Sequence, residues 1–239
     1  MIIGVVLVAV ILIGWYMISS AKPAANGNIN KPSANATAAK TPGIPANAPA
    51  GATPPNLAGS PTALVTVEEF ADFQCGSCAA AHPTMNEIKS MYGSRIKFIY
   101  RNYPLSIPAH DKSYDAAVAA EAAGMQGKFW DMQNLLFSNQ QAWTADPNFK
   151  TIWNGYATKL GLDMAKFSND VAGIAAKGRV DADLARGKAL SVNSTPTIYL
   201  NGVSVDFKDV KVDSLKVLID AELAKTAAPA TAPASNTPK

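Results

Sequence analysis

The changes of hydrophobic period along the chain constrain its fold more than any other feature. Residues 63–73 (ALVTVEEFADF) are rich in β-branched and aromatic residues, which predicts a strand. The apolar and small residues from Gly76 to about Met91 fit a helix, and residues 95–105 predict a second strand. Two strands joined through a helix are expected to lie parallel, because the connection has to cross over the sheet.

A long helical block precedes the second half of the fold. Residues 109–191 have helical periodicity, interrupted by Gly, Asn and Asp-Pro breaks. Residues 195–207 fit two strands joined by the two-residue turn Asn201-Gly202, which predicts a hairpin. An amphipathic helix over residues 212–225 completes the pattern. We therefore predict an α/β fold with a β-α-β half, a β-β-α half and a helical domain inserted between them.

Composition limits the folded part of the 239-residue chain to one domain. Residues 20–60 consist almost entirely of Ala, Pro, Asn, Gly, Ser and Thr, which cannot bury enough apolar surface to offset the entropy of ordering. Residues 225–239 have the same character. We expect a disordered linker, a disordered tail and a single domain over residues 61–224.

The N-terminal residues 1–19 are apolar and carry no charged side chain. The run Ile2–Ile18 is long enough, at the short end of the range, to span a bilayer. A cleaved secretory signal is the alternative, with Ser19-Ser20-Ala21 as a small-residue cleavage site. Both interpretations place the domain outside the cytoplasm. We favour a single-pass anchor in the cell membrane, since the run exceeds the ~7–15 apolar residues of a signal core.

The distribution of charge excludes nucleic acid as an expected partner. All 18 acidic side chains lie within residues 61–224, whereas five of the 21 lysines and arginines lie outside, which leaves 16 basic side chains in the domain. The domain is therefore slightly acidic, and no basic stripe with interleaved aromatic residues is visible.

The only two cysteines of the chain, Cys75 and Cys78, lie where the first predicted strand meets the first predicted helix. A structural zinc site needs four nitrogen or sulfur ligands, and His82 and His110 do not complete a recognisable spacing, so no metal is expected. A structural disulfide across so short a loop would restrict the unfolded chain little. A redox-active pair is the favoured interpretation.

The position of the pair gives the redox interpretation a physical basis. Cys75, at a helix N-terminus, faces unpaired backbone N–H groups and the positive end of the macrodipole, and both favour the thiolate. Cys78 lies one turn further into the helix, near enough for a disulfide and better covered. Cys75 is therefore expected to attack and to be attacked, and Cys78 to resolve. The Cys75–Cys78 disulfide would itself be the redox group, with no other cofactor.

Three motifs together resemble the DsbA-like family of exported thiol–disulfide oxidoreductases, within the thioredoxin superfamily. They are the strand–CxxC–helix unit, GKFWDMQNLLF at residues 127–137 and STPTIYLNG at residues 194–202. The resemblance covers residues 61–224. It implies a thioredoxin fold with a helical domain inserted at about 109–191, and it implies that Cys75 is the nucleophile.

The resemblance also assigns roles around the cysteines. It implies that Pro196 follows a cis peptide bond and faces the disulfide, so that the backbone of Thr195 pairs with an extended substrate. From the residues alone, an ordinary trans proline at the start of an edge strand stays open. Gly76 and Ser77 complete the expected substrate-contacting set. They stand where well-known oxidases of the family have Pro-His, and the missing histidine would make the pair a weaker oxidant.

Glu69 lies six residues before Cys75, where DsbA-like proteins carry a buried glutamate. A carboxylate at this position could exchange the proton of Cys78 through a water molecule. A solvent-facing strand acid is the alternative, and the neighbouring Glu68 is expected to be one. His82 is expected to be a surface or partly packed residue rather than a catalytic one.

These observations predict a membrane-tethered, extracytoplasmic oxidoreductase that introduces disulfides into exported proteins with free thiols. Reoxidation would need a partner, because the chain has no third cysteine, and the resemblance implies a quinone-linked membrane protein of the DsbB or VKOR type. A monomer is expected. A reductase or isomerase on the same scaffold is the nearest alternative, and a peptide-binding or chaperone module with incidental cysteines is the alternative from another class.

Overall fold

A computed structural model of the protein describes residues 43–227. Over this range the chain forms one five-stranded sheet with the strand order β1-β3-β2-β4-β5. The strands are β1 (Asn56–Gly59), β2 (Val65–Ala71), β3 (Ile96–Asn102), β4 (Thr197–Leu200) and β5 (Val203–Val205). Eight α-helices accompany them within the described range: α1 (Gly76–Tyr92), α2 (Ser113–Gly124), α3 (Phe129–Ser138), α4 (Gln140–Ala145), α5 (Phe149–Lys159), α6 (Met164–Ala172), α7 (Ile174–Ala189) and α8 (Val212–Ala227).

The pairing of the strands follows from their connections. β2 and β3 are parallel because α1 joins them as a crossover, while β1, β4 and β5 each pair antiparallel with a neighbour. β4 and β5 form the predicted hairpin. Its turn residues Asn201 and Gly202 both have positive φ, at 48° and 80°, a region that Asn and Gly tolerate better than other residues. The predicted α/β fold with helices α2–α7 inserted between two halves is confirmed.

The two faces of the sheet bury different side chains. Val67, Phe98 and Ile198 point to one face, where α1, α8 and part of the insertion cover them, and all three are buried. On the opposite face, Phe70, Tyr103, Tyr199 and Val192 form a smaller apolar cluster. Glu69 belongs to the first face and Glu68 to the second, because successive side chains of a strand alternate.

The structure corrects the predicted linker boundary at residue 60. β1 lies inside the segment predicted to be a linker, and it pairs with β3 through Asn56 and Tyr100 at one end. Residues 49–52, which we call the strap, are also fixed: Arg101 and Arg186 donate hydrogen bonds to the carbonyls of Pro49, Ala50 and Ala52. Composition did not reveal this order, because it arises from contacts with residues far along the chain.

At the other end, α8 continues to Ala227, slightly past the predicted end of the domain. The predicted anchor at residues 1–19, the first part of the predicted linker and the last part of the predicted tail lie outside the described residues. No helix between residues 43 and 227 has both the length and the apolar character needed to cross a membrane.

Candidate active site

The two cysteines lie at the start of α1, at the carboxyl end of β2. Cys75 immediately precedes the helix with an extended backbone (φ −70°, ψ 119°), and Cys78 lies in its first turn. Both are unpaired thiols in the structure. Cys75 is 8% exposed and Cys78 is fully covered, so that only the first sulfur is within reach of a second protein. Gly76 and Ser77 between them are exposed.

The surroundings separate the pKa values of the two thiols. The hydrogen bond from Cys78 does most to lower the pKa of Cys75, to about 5, although burial opposes the shift. The side chain of Thr195 and the backbone N–H groups of Cys78 and Ser77 act in the same direction as the Cys78 thiol. Burial raises the pKa of Cys78 far above its usual range, and the neighbouring Cys75 raises it further. At neutral pH, Cys75 is a thiolate and Cys78 a thiol.

This separation predicts the pH dependence of alkylation. In the reduced protein, the rate of reaction with iodoacetamide should reach half its maximum near pH 5 rather than near about 8.5, the pKa of an ordinary cysteine. Mass spectrometry should place the label on Cys75 alone. The Cys75→Ser variant serves as the control and should take up no label at pH 7. A half-maximal rate above pH 7 in the wild-type protein would contradict the lowered pKa of Cys75.

Thr195 and Pro196 lie against the first cysteine. The Sγ atom of Cys75 lies 3.3 Å from the carbonyl oxygen of Thr195, across 120 residues of sequence. The Thr195-Pro196 peptide bond is cis, as the family resemblance implied. Both residues are buried, in the loop that leads into β4. The five residues Cys75, Gly76, Ser77, Thr195 and Pro196 are thus brought together at one end of the sheet.

Glu69 is buried on the face of the sheet that α1 covers. It is 3% exposed and pairs across the sheet with Tyr100 in β3 and with Ile198 in β4. Burial raises its pKa to about 7, and the charge of Lys89 opposes the shift. Lys89 comes from the last turn of α1, where its ammonium group lies 4.1 Å from the ring centroid of Trp130. The buried carboxyl expected from the sequence is therefore present.

The expectation for Glu68 was wrong. This residue is 2% exposed, and its carboxylate accepts hydrogen bonds from Arg101 and Arg186 at 2.7 to 2.8 Å. Burial alone would raise the pKa of Glu68, but the two guanidinium groups outweigh it and hold the pKa below its usual value. The period-2 pattern placed Glu68 on the face opposite Glu69 correctly. It did not reveal that α7 covers this face.

His82 also lies deeper than expected. It is 7% exposed, its ring lies 4.8 Å from that of Phe137, and its Nε2 atom lies 2.9 Å from Oδ1 of Asn134. Burial lowers its pKa to about 4, so that the imidazole is neutral at physiological pH. The residue joins α1 to α3, and its hydrogen bonds go to Asn134 and Asn86 rather than to either sulfur.

Asp72 is a site residue that the sequence analysis missed. Its carboxylate accepts hydrogen bonds from the backbone N–H groups of Gln74 and Leu105 and from the Ser113 hydroxyl, and it lies 2.6 Å from Nδ1 of His110. The carbonyl of Asp72 accepts the N–H of Cys75. Asp72 therefore fixes the turn between β2 and the first cysteine. The one available signal was an acid placed directly after a buried strand.

Comparison with known proteins agrees with this geometry. A profile of the family described as Thioredoxin matches residues 52–221. Among solved structures, BdbD from Bacillus subtilis superimposes with a TM-score of 0.62 at 24% identity and covers 74% of this chain and 98% of that one. A thioredoxin-like oxidoreductase from Silicibacter pomeroyi gives a TM-score of 0.57 at 24% identity, with coverages of 73% and 94%. For α-DsbA1 from Wolbachia pipientis the TM-score is 0.58 at 20% identity, with coverages of 72% and 92%.

The curated relatives match this chain over only a segment of their own length. A protein named Na(+)/H(+) antiporter NhaA 1 from Mycolicibacterium gilvum is 34% identical over 149 residues, which are 62% of this chain and 23% of that protein. NhaA 3 from Salinispora tropica is 35% identical over 147 residues, 22% of its length. The chain thus matches less than a quarter of these relatives. By the match over residues 52–221 and by its architecture, the chain belongs to the thioredoxin family and shares its fold with BdbD and α-DsbA1.

Proposed function

We propose that the protein oxidises pairs of thiols in exported proteins to disulfides through the Cys75–Cys78 pair. The single observation that carries this proposal is the contrast between the two sulfurs: Cys75 is a reachable thiol of low pKa, and Cys78 is a covered thiol of high pKa. A sulfur with a low pKa is a good leaving group in thiol–disulfide exchange. A metal site or a structural disulfide would not require two thiols that differ so much in pKa and in exposure.

The reaction proceeds through a mixed disulfide. A client thiolate attacks Sγ of Cys75 in the oxidised protein, the Cys75–Cys78 bond breaks, and Cys78 leaves with the electron pair and takes up a proton. A second client thiolate then attacks the client sulfur of the mixed disulfide and displaces Cys75 as a thiolate. The client loses two electrons and two protons. The protein gains both electrons and one proton, as the Cys75 thiolate and the Cys78 thiol, and the second proton passes to solvent. The Thr195 carbonyl next to Cys75 is a backbone acceptor for an extended client segment.

Glu69 has the role of proton donor and acceptor for Cys78 in this scheme. Its pKa near 7 allows it to exist in both protonation states at physiological pH. We expect Glu69→Gln to slow the release of Cys78 about tenfold or more and to remove the inflection near pH 7 from the rate profile. Stopped-flow oxidation of a dithiol peptide measures both. Glu87→Gln, which changes an exposed acid on α1, the helix that carries Cys78, is the control, and equal rates in the two variants would refute the role of Glu69.

The direction of electron flow is tested by the reduction potential. We expect equilibration with glutathione to give a value between about −180 and about −120 mV, the range of disulfide-forming catalysts, because the Cys75 thiolate stabilises the reduced form. The protein should also speed the oxidative refolding of reduced ribonuclease in glutathione buffer. A potential near that of thioredoxin, about −270 mV, together with fast reduction of insulin, would favour the reductase alternative.

The location and the redox partner are part of the same proposal. The apolar residues 1–19 support tethering to the cell membrane with the domain on the extracytoplasmic side. The chain has two cysteines only, so the electrons collected by the pair must pass to another molecule, for which a DsbB- or VKOR-like membrane protein is suited. Membrane fractionation and labelling of Cys75 from outside intact cells with an impermeant maleimide test the location. Labelling only after lysis would contradict it.

The remaining alternatives predict different results in the same assays. A peptide-binding module with incidental cysteines would retain its activity without Cys75, and an isomerase would act on scrambled rather than on reduced ribonuclease. The antiporter relatives contribute no transport function to the proposal, because the chain matches under a quarter of their length. We propose a monomer, which the elution volume of residues 43–227 in size-exclusion chromatography would test.

A further inference from the structure

The short helix α4 of the insertion lies against the turn that carries Cys75. Its first residue, Gln140, is half-buried, and its Nε2 atom lies 2.7 Å from the carbonyl oxygen of Phe73 and 3.0 Å from that of Cys75. A primary amide nitrogen has two hydrogens, so it can donate to both oxygens at once. The two contacts cross 67 and 65 residues of sequence and join the helical insertion to the thioredoxin half of the fold.

The two carbonyls that Gln140 binds lie on either side of the reactive residue. One belongs to the peptide group that precedes Gln74, and the other to the peptide group that follows Cys75. The Cys75 carbonyl also accepts the N–H of Ala79 at 3.1 Å, the hydrogen bond that begins α1. Holding both peptide groups restrains the backbone angles of Gln74 and Cys75, the two residues between them. Those angles set the distance between the Sγ atom of Cys75 and the N–H groups of Ser77 and Cys78.

α4 is itself rigidly placed. Trp143 is fully buried and donates from Nε1 to the carbonyl of Leu136 at 2.7 Å. The ammonium group of Lys112 donates to the carbonyl of Thr144 near the end of the helix. The backbone N–H of Lys112 in turn donates to Oε1 of Gln74 at 2.5 Å. The insertion thus holds the turn at two points. Gln140 donates to two of its carbonyls, and Lys112 donates to the side chain of Gln74.

We propose that Gln140 is a positioning residue through which the helical insertion sets the reactivity of Cys75. The inference rests on the proposed function and concerns how the same site is tuned. The Gln140 amide neutralises two carbonyl dipoles that would otherwise stand near the thiolate, and it keeps the sulfur against its backbone donors. Only a side chain with two hydrogens at this point satisfies both oxygens. A carboxylate of the same shape has none at neutral pH.

Four variants test the proposal, all in the full chain. Gln140→Met removes the donors at similar length, and Gln140→Glu replaces the donors by a charge of the wrong sign. Gln141→Met and Gln141→Glu make the same changes one residue further on. Gln141 is exposed, and its side chain makes no hydrogen bond within residues 43–227. The readouts are thiolate absorbance at 240 nm against pH, the equilibrium constant with glutathione, and the melting temperature.

We expect Gln140→Met to raise the pKa of Cys75 by about 0.5 to 1, since one neutral hydrogen bond has about that effect on an equilibrium. Gln140→Glu should raise it by more than about 1. The equilibrium constant with glutathione should shift towards a weaker oxidant in both, about threefold to tenfold in Gln140→Met and by more in Gln140→Glu. The Gln141 variants should match the wild type. If Gln140→Met does not fold, Gln140→Glu, which keeps size and polarity, decides the question.

Two results would overturn the inference. One is a Gln140 variant that melts at a lower temperature but has the wild-type pKa and glutathione equilibrium, because Gln140 would then be structural only. The other is an equal shift in Gln140→Glu and Gln141→Glu, which would mean that charge alone acts. Neither result depends on the direction of electron flow. The wild-type reduction potential tests the oxidase proposal, whereas the comparison of variants tests the role of Gln140, so the failure of either can be told from the failure of the other.

Discussion

Replacing Cys75 by serine should reduce thiol–disulfide exchange to the rate of the uncatalysed reaction. Cys75 is the sulfur that a client can reach and the one that the site stabilises as a thiolate. The remaining Cys78 is covered and has a raised pKa, so it has neither access nor nucleophilicity to replace Cys75. Oxidative refolding of reduced ribonuclease, with the rate compared to buffer alone, measures the loss. The serine hydroxyl is close in size to the thiol, so the melting temperature should change little.

The matched variant Cys78→Ser should behave differently. Its Cys75 thiolate remains able to attack an activated disulfide, but no second thiol is present to release the mixed disulfide. A covalent adduct between Cys75 and a disulfide-containing peptide should therefore accumulate and persist, and non-reducing electrophoresis detects it. Turnover in Cys75→Ser at more than a tenth of the wild-type rate, or rapid release of the adduct in Cys78→Ser, would contradict the assigned roles.

The parts of the fold that the sequence predicted are those with local signals. β2, α1 and β3 follow from period and length, the β4–β5 hairpin follows from the turn Asn201-Gly202, and the helical block follows from its 3.6-residue periodicity. The cysteine pair could be placed at the strand-to-helix junction for the same reason. Pro83 does not end α1, although proline disrupts most helix interiors. Buried residues lie before and after it in the helix, among them Ala81 and Met85.

The parts that could not be predicted depend on distant partners. β1 and the strap lie in a segment whose composition predicts disorder, and they are ordered by β3 and by two arginines at positions 101 and 186. The same holds in the site. Gln140 reaches the turn of Cys75 across 65 residues, and Thr195 across 120. Thr195 and Pro196 could be predicted as site residues only from the family resemblance, because periodicity does not reveal contacts between residues so far apart in sequence.

Replacing Arg101 by methionine should destabilise the domain by about 3–5 kcal/mol, the usual cost of leaving a buried charge without its partner. Arg101 is 4% exposed and donates to Glu68 at 2.7 Å, to Asp183 at 3.0 Å, and to the strap carbonyls of Ala50 and Ala52 at 2.8 and 3.1 Å. Its loss leaves the Asp183 carboxylate, which is fully covered, without its ion-pair partner. Urea denaturation followed by circular dichroism measures the change. Lys97→Met, a cation on the same strand, should cost less than about 1 kcal/mol.

A double variant separates loss of the ion pair from loss of packing. Glu68→Gln with Arg101→Met removes both members of the 2.7 Å ion pair at once, so it should be less destabilised than the sum of the single variants by about 1–3 kcal/mol. In the same Arg101→Met protein, proteolysis within residues 43–55 should become much faster than in the wild type, because the carbonyls of Ala50 and Ala52 lose their donors. If the two single changes in the free energy of unfolding add up, and if the strap resists proteolysis as well as in the wild type, then Arg101 contributes packing and does not hold the strap against the sheet. A shortfall from additivity together with a freed strap would establish that Arg101 extends the folded domain beyond the boundary that composition predicts.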